Sequence, residues 1–119
     1  MGNNMLGPVG ENKAAGYLKR KGYKILDRNF RCRMGEIDIV AQKDGYVVFV
    51  EVKARKDTSF AEAREFVTYA KQQRILKTAM FWLHEHDSQF QPRFDVIEVY
   101  PSGSLLESYR INHIENAFM

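Results

Sequence analysis

Apolar and polar positions alternate most regularly between residues 36 and 53. There Glu36-Ile37-Asp38-Ile39-Val40-Ala41 and Tyr46-Val47-Val48-Phe49-Val50-Glu51-Val52-Lys53 flank Gln42-Lys43-Asp44-Gly45. Two β-branched and aromatic runs on either side of an Asp-Gly predict an antiparallel hairpin. A two-residue loop at Asp44-Gly45 sets Lys43 against Tyr46; counting back along both strands, Asp38 faces Glu51 and Glu36 faces Lys53. Side chains alternate between faces, so Ile37, Ile39, Ala41, Val48, Val50 and Val52 share one apolar face, and Glu36, Asp38, Glu51 and Lys53 share the other. Towards the turn this second face carries Val40, Val47 and Phe49. An apolar layer covering that end leaves the charges in a pit at its margin.

The remaining elements follow in order. Ala14, Ala15 and Leu18 recur at helical spacing over 10–21, with Pro8 suited to the first turn and Gly22 closing the helix. Glu11 lies on the same stripe, where it is either a solvated acid complementing the helix dipole or a functional group turned inward. Residues 23–31 read as a strand, with Tyr23, Ile25 and Asp27 on one face and Lys24, Leu26 and Arg28 on the other; 32–35 turns into the hairpin. The polar stretch 54–66 reads as a loop over the charged pit. Thr68 caps a helix running to about His86, with an apolar stripe that includes Ile75, Leu76, Ala79, Met80 and Leu83. Lys71, Arg74 and Lys77 share another of its faces, and Gln72 points inward near its N-terminus. Trp82 is a packing residue. His84 and His86, two apart on a helix, do not face each other and are surface histidines. A strand over 93–100 carries Asp95 in a structural salt bridge, 101–103 is a turn, and 105–111 forms a last strand. The apolar tail through Phe118 either seals the core or meets a second subunit.

Composition narrows the class. With 119 residues, 45% hydrophobic and 28% charged, the chain suits one globular domain of ordinary composition. A net charge of +3 and a pI near 9.0 permit a polyanionic partner. The positive charge is clustered at Lys19-Arg20-Lys21, at Arg28, Arg31 and Arg33, at Lys53, Arg55 and Lys56, and at Lys71, Arg74 and Lys77. Cys32 is the single cysteine, which excludes an intrachain disulfide and a cysteine-based zinc site. No apolar run approaches the ~18 residues of a membrane span, and the N-terminus lacks signal-peptide character, so a cytoplasmic location is the expectation.

The hairpin poses an electrostatic problem. Carboxylates on opposed residues, ~5 Å apart, repel by roughly 3 kcal/mol at an effective dielectric of ~20, against a total stability of about 5–15 kcal/mol. Lys53 supplies only part of the compensation. A hard divalent ion with oxygen ligands supplies the remainder. Geometry alone leaves an equal alternative, solvated charges with Glu36 and Lys53 as an ordinary cross-strand pair.

The order Asp, then Glu-x-Lys on the next strand, resembles the signature of the PD-(D/E)XK nuclease superfamily. The longer string GEIDIVAQKDGYVVFVEVKARKDTSF, the helix KQQRILKTAMFWL, the strand RFDVIEVY and the terminal INHIENAFM resemble the YraN family. That family is similar in fold to the archaeal Holliday junction resolvases, and the likeness extends from about Gly10 to Met119. It implies a restriction-endonuclease-like three-layer α/β sandwich around a mixed sheet, with Glu11, Asp38 and Glu51 as ligands of Mg²⁺ or Mn²⁺ and Lys53 as the signature lysine. Glu36, outside the minimal signature, and Gln72 would support them. Arg31, Arg33, Arg55, Lys56, Lys71 and Arg74 are the candidate contacts to a nucleic-acid backbone. The implied activity is metal-dependent hydrolysis of phosphodiester bonds in branched or structured DNA, by a homodimer where the junction is symmetric. The competing expectations are a non-catalytic nucleic-acid or protein docking domain that keeps the fold, and a nuclease acting on RNA or single strands.

Overall fold

Asp44 and Gly45 take positive φ angles of 51° and 84°, the backbone that a type I′ turn demands, and the predicted hairpin forms around them. In this computed structural model, which describes residues 2–55, 67–101 and 109–118, and 2–7 by backbone alone, the elements are α1 (Gly2–Arg20), β1 (Lys24–Cys32), β2 (Gly35–Lys43), β3 (Tyr46–Ala54), α2 (Tyr69–Glu85), β4 (Gln91–Pro101) and β5 (Tyr109–Ile114). The strands form a mixed five-stranded sheet in the order β1-β2-β3-β4-β5. Only the β3–β4 pairing is parallel, bridged by the crossover through α2; the other neighbours are antiparallel. Arg33 and Met34 make the short turn between β1 and β2.

The helices cover opposite faces. On one, Ala14, Ala15 and Leu18 of α1 pack on Ile39, Ala41, Val48, Val50, Ile97 and Val99. On the other, Ile75, Ala79 and Trp82 of α2 pack on Val40, Val47, Phe49, Phe94 and Val96. The result is the three-layer α/β sandwich that the resemblance implies. Val47 to Val50 are buried without a break, because the central strand has a helix on each side. Each such side chain contributes about 1.5–3 kcal/mol relative to exposure. Phe118 joins the α2 face, its ring 5.5 Å from that of Phe94, and the Ala117 N–H donates to the Phe94 carbonyl at 2.7 Å. The tail therefore seals the core. No helix among the described residues is long and apolar enough to cross a membrane.

Several expectations change. α1 begins at Gly2 and carries Pro8 inside it; proline removes one N–H bond but its fixed φ is helical. A bulge between Ile25 and Asp27 interrupts the alternation of β1. Asp27 consequently lies on the α2 side, where its Oδ2 accepts the Trp82 indole N–H at 3.1 Å, and not beside Ile25. Ile37 also changes sides, packing with the α2 cluster while Ile39 packs with α1. The last strand runs Tyr109–Ile114, later than the 105–111 expected. The loop predicted over 54–66 and the turn at 101–103 lie largely outside the described residues.

Asp95 is fully buried and satisfied. Arg93 donates to both its oxygens at 3.0 and 2.8 Å, His113 Nε2 lies 2.7 Å from Oδ2, and the Asn116 N–H reaches Oδ1 at 3.0 Å. Tyr17 and Tyr23 extend the cluster through His113 and Arg93. The expected salt bridge has become a network that ties α1, Tyr23 at the entry to β1, β4 and β5 together.

Candidate functional site

The hairpin pairing runs from Lys43↔Tyr46 to Ile39↔Val50 and stops there. Continued one step, the ladder would hand the Val52 N–H to the Ile37 carbonyl. Instead, the Asp38 Oδ2 accepts that N–H at 2.7 Å. An acid has taken the place of the backbone, β2 parts from β3, and this is the point at which Ile37 changes faces. Gly10 of α1 packs so closely on β3 that a Cβ at this position would lie 2.8 Å from that of Ala54. Glycine there lets α1 bring Glu11 to the same end of the sheet.

Glu51 is buried, and Oε2 receives two ammonium groups, Lys53 Nζ at 3.5 Å and Lys71 Nζ at 3.2 Å. Asp38 makes no ion pair among the described residues. Burial, and then the negative charge of Glu51, push its carboxyl up to about 7; the Val52 N–H works against this, while Glu11 and Glu36 add to it. The pair is thus unequal: Glu51 is compensated twice over and Asp38 only by a backbone amide.

Glu11 is within electrostatic reach of Asp38 but engaged elsewhere. Its Oε1 accepts from Arg28 Nη2 at 3.0 Å and from Asn29 Nδ2 at 2.8 Å. Asn29 has a positive φ of 54°, and the bulge earlier in β1 brings Arg28 to the α1 side. Among the described residues no three acidic, histidine or cysteine side chains converge as a ready metal-ligating group. A hard cation fits what is present: Asp38 offers oxygen donors that no basic side chain engages among the described residues, Glu51 offers a second carboxylate held only by two lysines, and Glu11 is a third donor held back by Arg28.

Glu36 pairs with Arg31 across β1–β2 at 3.2 Å, on an exposed surface, and Lys53 pairs with Glu51. Gln72 turns back on its own helix end, donating to the Val67 carbonyl at 3.0 Å. Arg31, Arg33 and Arg74 are exposed. Gly35, which closes the turn carrying Arg33, packs against Arg74 and Thr78, so the two arginines belong to neighbouring surface. Arg55 is engaged instead with the buried Glu98, Nε at 3.1 Å and Nη2 at 3.0 Å, where Asn112 also donates. Lys56 lies outside the described residues.

Sequence reasoning brought Asp38, Glu51 and Lys53 together and placed Glu11 near them. It missed the Arg28 and Asn29 partners of Glu11, since the bulge that presents them leaves no mark in the alternation. It also set Lys71 on an outward face. A signal for Lys71 existed: a parallel crossover returns the N-terminus of its helix above the C-terminal end of the preceding strand, where Glu51 lies.

Comparison with known proteins agrees with the sequence pattern. Residues 10–99 match the family model described as uncharacterised protein family UPF0102. The UPF0102 protein TTE1452 of Caldanaerobacter subterraneus subsp. tengcongensis is 48% identical over 114 residues, covering 95% of this chain and 93% of its own. A UPF0102 protein of Alkaliphilus oremlandii is 46% identical over 120 residues, covering 98% and 99%. One from Clostridium botulinum strain Loch Maree is 43% identical over 118 residues, covering 98% and 95%. The chain therefore belongs to the UPF0102 family, the YraN family that its hairpin and flanking strings resemble.

Proposed function

We propose that this protein is a Mg²⁺- or Mn²⁺-dependent endonuclease that hydrolyses phosphodiester bonds in branched or otherwise structured DNA. The observation that carries the reading is the meeting of the buried Glu51 and the half-buried Asp38 at the point where β2 parts from β3, with both nearby ammonium groups on Glu51 and none on Asp38. A structural ion pair would distribute its charge more evenly; a cation site leaves donor oxygens wanting a cation.

Asp38 and Glu51 would hold the ion, joined by Glu11 on its release from Arg28. A bound divalent ion supplies charge neutralisation at the phosphoryl oxygens and a more acidic water. The chain's own groups do the rest. Lys53, 3.5 Å from Glu51, orients the attacking water or stabilises charge developing on the phosphate. The Val52 N–H fixes the Asp38 carboxylate. Arg31, Arg33 and Arg74 hold the backbone, contacts that position a duplex without reading its sequence. Selection then comes from DNA shape, in line with the resolvase resemblance, and a symmetric four-way junction calls for a second copy of the chain.

A docking domain that keeps the fold is the second reading. The detention of Glu11 by Arg28 and Asn29 favours it, because a site with one acid engaged elsewhere is also what a retired one looks like.

The deciding experiment is cleavage of a four-way junction and its linear arms in Mg²⁺, Mn²⁺ or chelator, using wild type, Asp38→Asn and Glu51→Gln of equal fold by circular dichroism. Metal-dependent cleavage that either substitution lowers by about 10²-fold or more supports the endonuclease. Equal cleavage by all three, or junction binding without cleavage, overturns it.

A further inference from the structure

We infer, on the footing of the hydrolytic reading above, that Lys71 is a positioning residue for Glu51: it holds that carboxylate as a counter-ion and gives it up when a divalent cation takes over the charge. It is not one more cation of the DNA-binding face.

Its ammonium is the nearer of the two on Glu51, 3.2 Å from Oε2 against 3.5 Å for Lys53. The helical turn that carries it is fixed on two sides: Thr68 Oγ1 accepts the Lys71 N–H at 3.2 Å, and the neighbouring Gln72 side chain donates to the Val67 carbonyl at 3.0 Å. Arg74, one turn further along α2, is exposed and faces the turn closed by Gly35. The two basic residues of one helix therefore serve different neighbours.

The charges explain why a second lysine stands there. Asp38 and Glu51 carry two negative charges when ionised, and Lys53 alone leaves one over. With Lys71 two ammonium groups stand against two carboxylates, and the buried Glu51 is paired where an uncompensated charge would be costly. An arriving divalent ion competes with both ammonium groups for Glu51. Lysine, a compact charge on a flexible stem, can withdraw from that contact, and the pocket then carries the positive charge that suits a phosphate.

The competition fixes a sign. Neutralising Lys71 removes a competitor, so divalent-ion binding should tighten by about three- to ten-fold. Neutralising an ordinary backbone cation weakens DNA binding and leaves the ion alone.

The test is Mn²⁺ calorimetry on wild type, Asp38→Asn, Lys71→Met, Lys71→Gln, Lys71→Arg and Arg74→Met, with junction affinity measured in chelator for the same set. Expected are an Mn²⁺ site in wild type that Asp38→Asn removes, three- to ten-fold tighter Mn²⁺ in both neutral Lys71 variants with junction affinity within two-fold of wild type, and wild-type Mn²⁺ affinity in Lys71→Arg. Arg74→Met should weaken the junction and leave Mn²⁺ unchanged. An Mn²⁺ site unaffected by the neutral Lys71 variants, or junction binding lost in them as in Arg74→Met, overturns this role and leaves the hydrolytic reading standing. No Mn²⁺ site in wild type overturns that reading, and this role with it.

Discussion

Arg28 on β1 holds Glu11 on α1, Nη2 to Oε1 at 3.0 Å, while the same nitrogen reaches Asn12 Oδ1 at 2.7 Å. The third acid of the site is thus latched to a neighbouring strand by an arginine that solvent, or a phosphate, can reach. Releasing it should complete the ligand set. Arg28→Ala is expected to tighten Mn²⁺ binding by roughly two- to five-fold, the equivalent of a partly exposed ion pair of about 0.4–1 kcal/mol. Calorimetry on the variant measures it, and unchanged or weaker binding would show that Glu11 is not a ligand in waiting.

Asp38 makes the metal-free protein sensitive to pH. Its carboxyl rises from the ordinary 3.8 to about 7, so between these values the folded state binds the proton that the unfolded state has lost. Stability therefore falls as pH rises from about 4 to about 7, and ionised Asp38 costs the fold most above that. Asp38→Asn keeps an oxygen for the Val52 N–H and removes the charge. In chelator at pH 8 the variant should be more stable than wild type by roughly 1–3 kcal/mol, a figure discounted for partial solvent access. At pH 4 the two should coincide. Urea titrations at both values decide it; a gap independent of pH would refute the account.

The Asp95 network should behave in the opposite sense. Burial raises its pKa, but the hydrogen bonds from His113, Arg93 and the Asn116 N–H outweigh this and hold it below the ordinary value. Stability from this group is present above the unfolded-state value and is lost as pH falls through the lower folded one. Asp95→Asn leaves the half-buried Arg93 with only the exposed Glu115 carboxylate, 3.7 Å away, and is expected to cost about 3 kcal/mol near neutrality. The cost should shrink in strong acid, as read from denaturation midpoints.

Two arginines of the sequence clusters separate binding from stability. Arg74→Ala should lower the slope of log affinity against log salt for duplex DNA by about 0.9, the release of one phosphate contact, with the melting temperature little changed. Arg55→Ala should do the reverse, leaving Glu98 buried without its guanidinium at a cost of about 3 kcal/mol and the salt slope as it was. Filter binding across a salt series, with thermal melts, tests both.

The hairpin was legible because Asp44-Gly45 admits one tight turn and its register sets every pairing down to Ile39↔Val50. Beyond that pair alternation ceased to inform, since a side chain took over a backbone bond and no propensity encodes the exchange. The Thr68 cap and α2, ending beside His86, were equally open to reading. β1 was less so: its bulge re-aims Asp27 and Arg28 while leaving the apolar pattern nearly intact. The site divides along the same line. Glu51 and Lys53 were placed side by side by alternation along one strand, whereas the expected Asp38–Glu51 and Glu36–Lys53 pairs fall where β2 has parted from β3, and the contacts from Lys71 and Arg28 depend on how α2 and a distorted strand pack in three dimensions.

Trp82 is the only tryptophan in the chain. It is buried, donates its indole N–H to Asp27, and lies flat against His86 with ring centroids 3.8 Å apart. The molecule thus carries an intrinsic optical probe at the seam between α2 and the sheet. A red shift in its emission would report that seam loosening without any label, and because the same helix carries Lys71 at its other end, movement of α2 on loading the acids could be followed in real time.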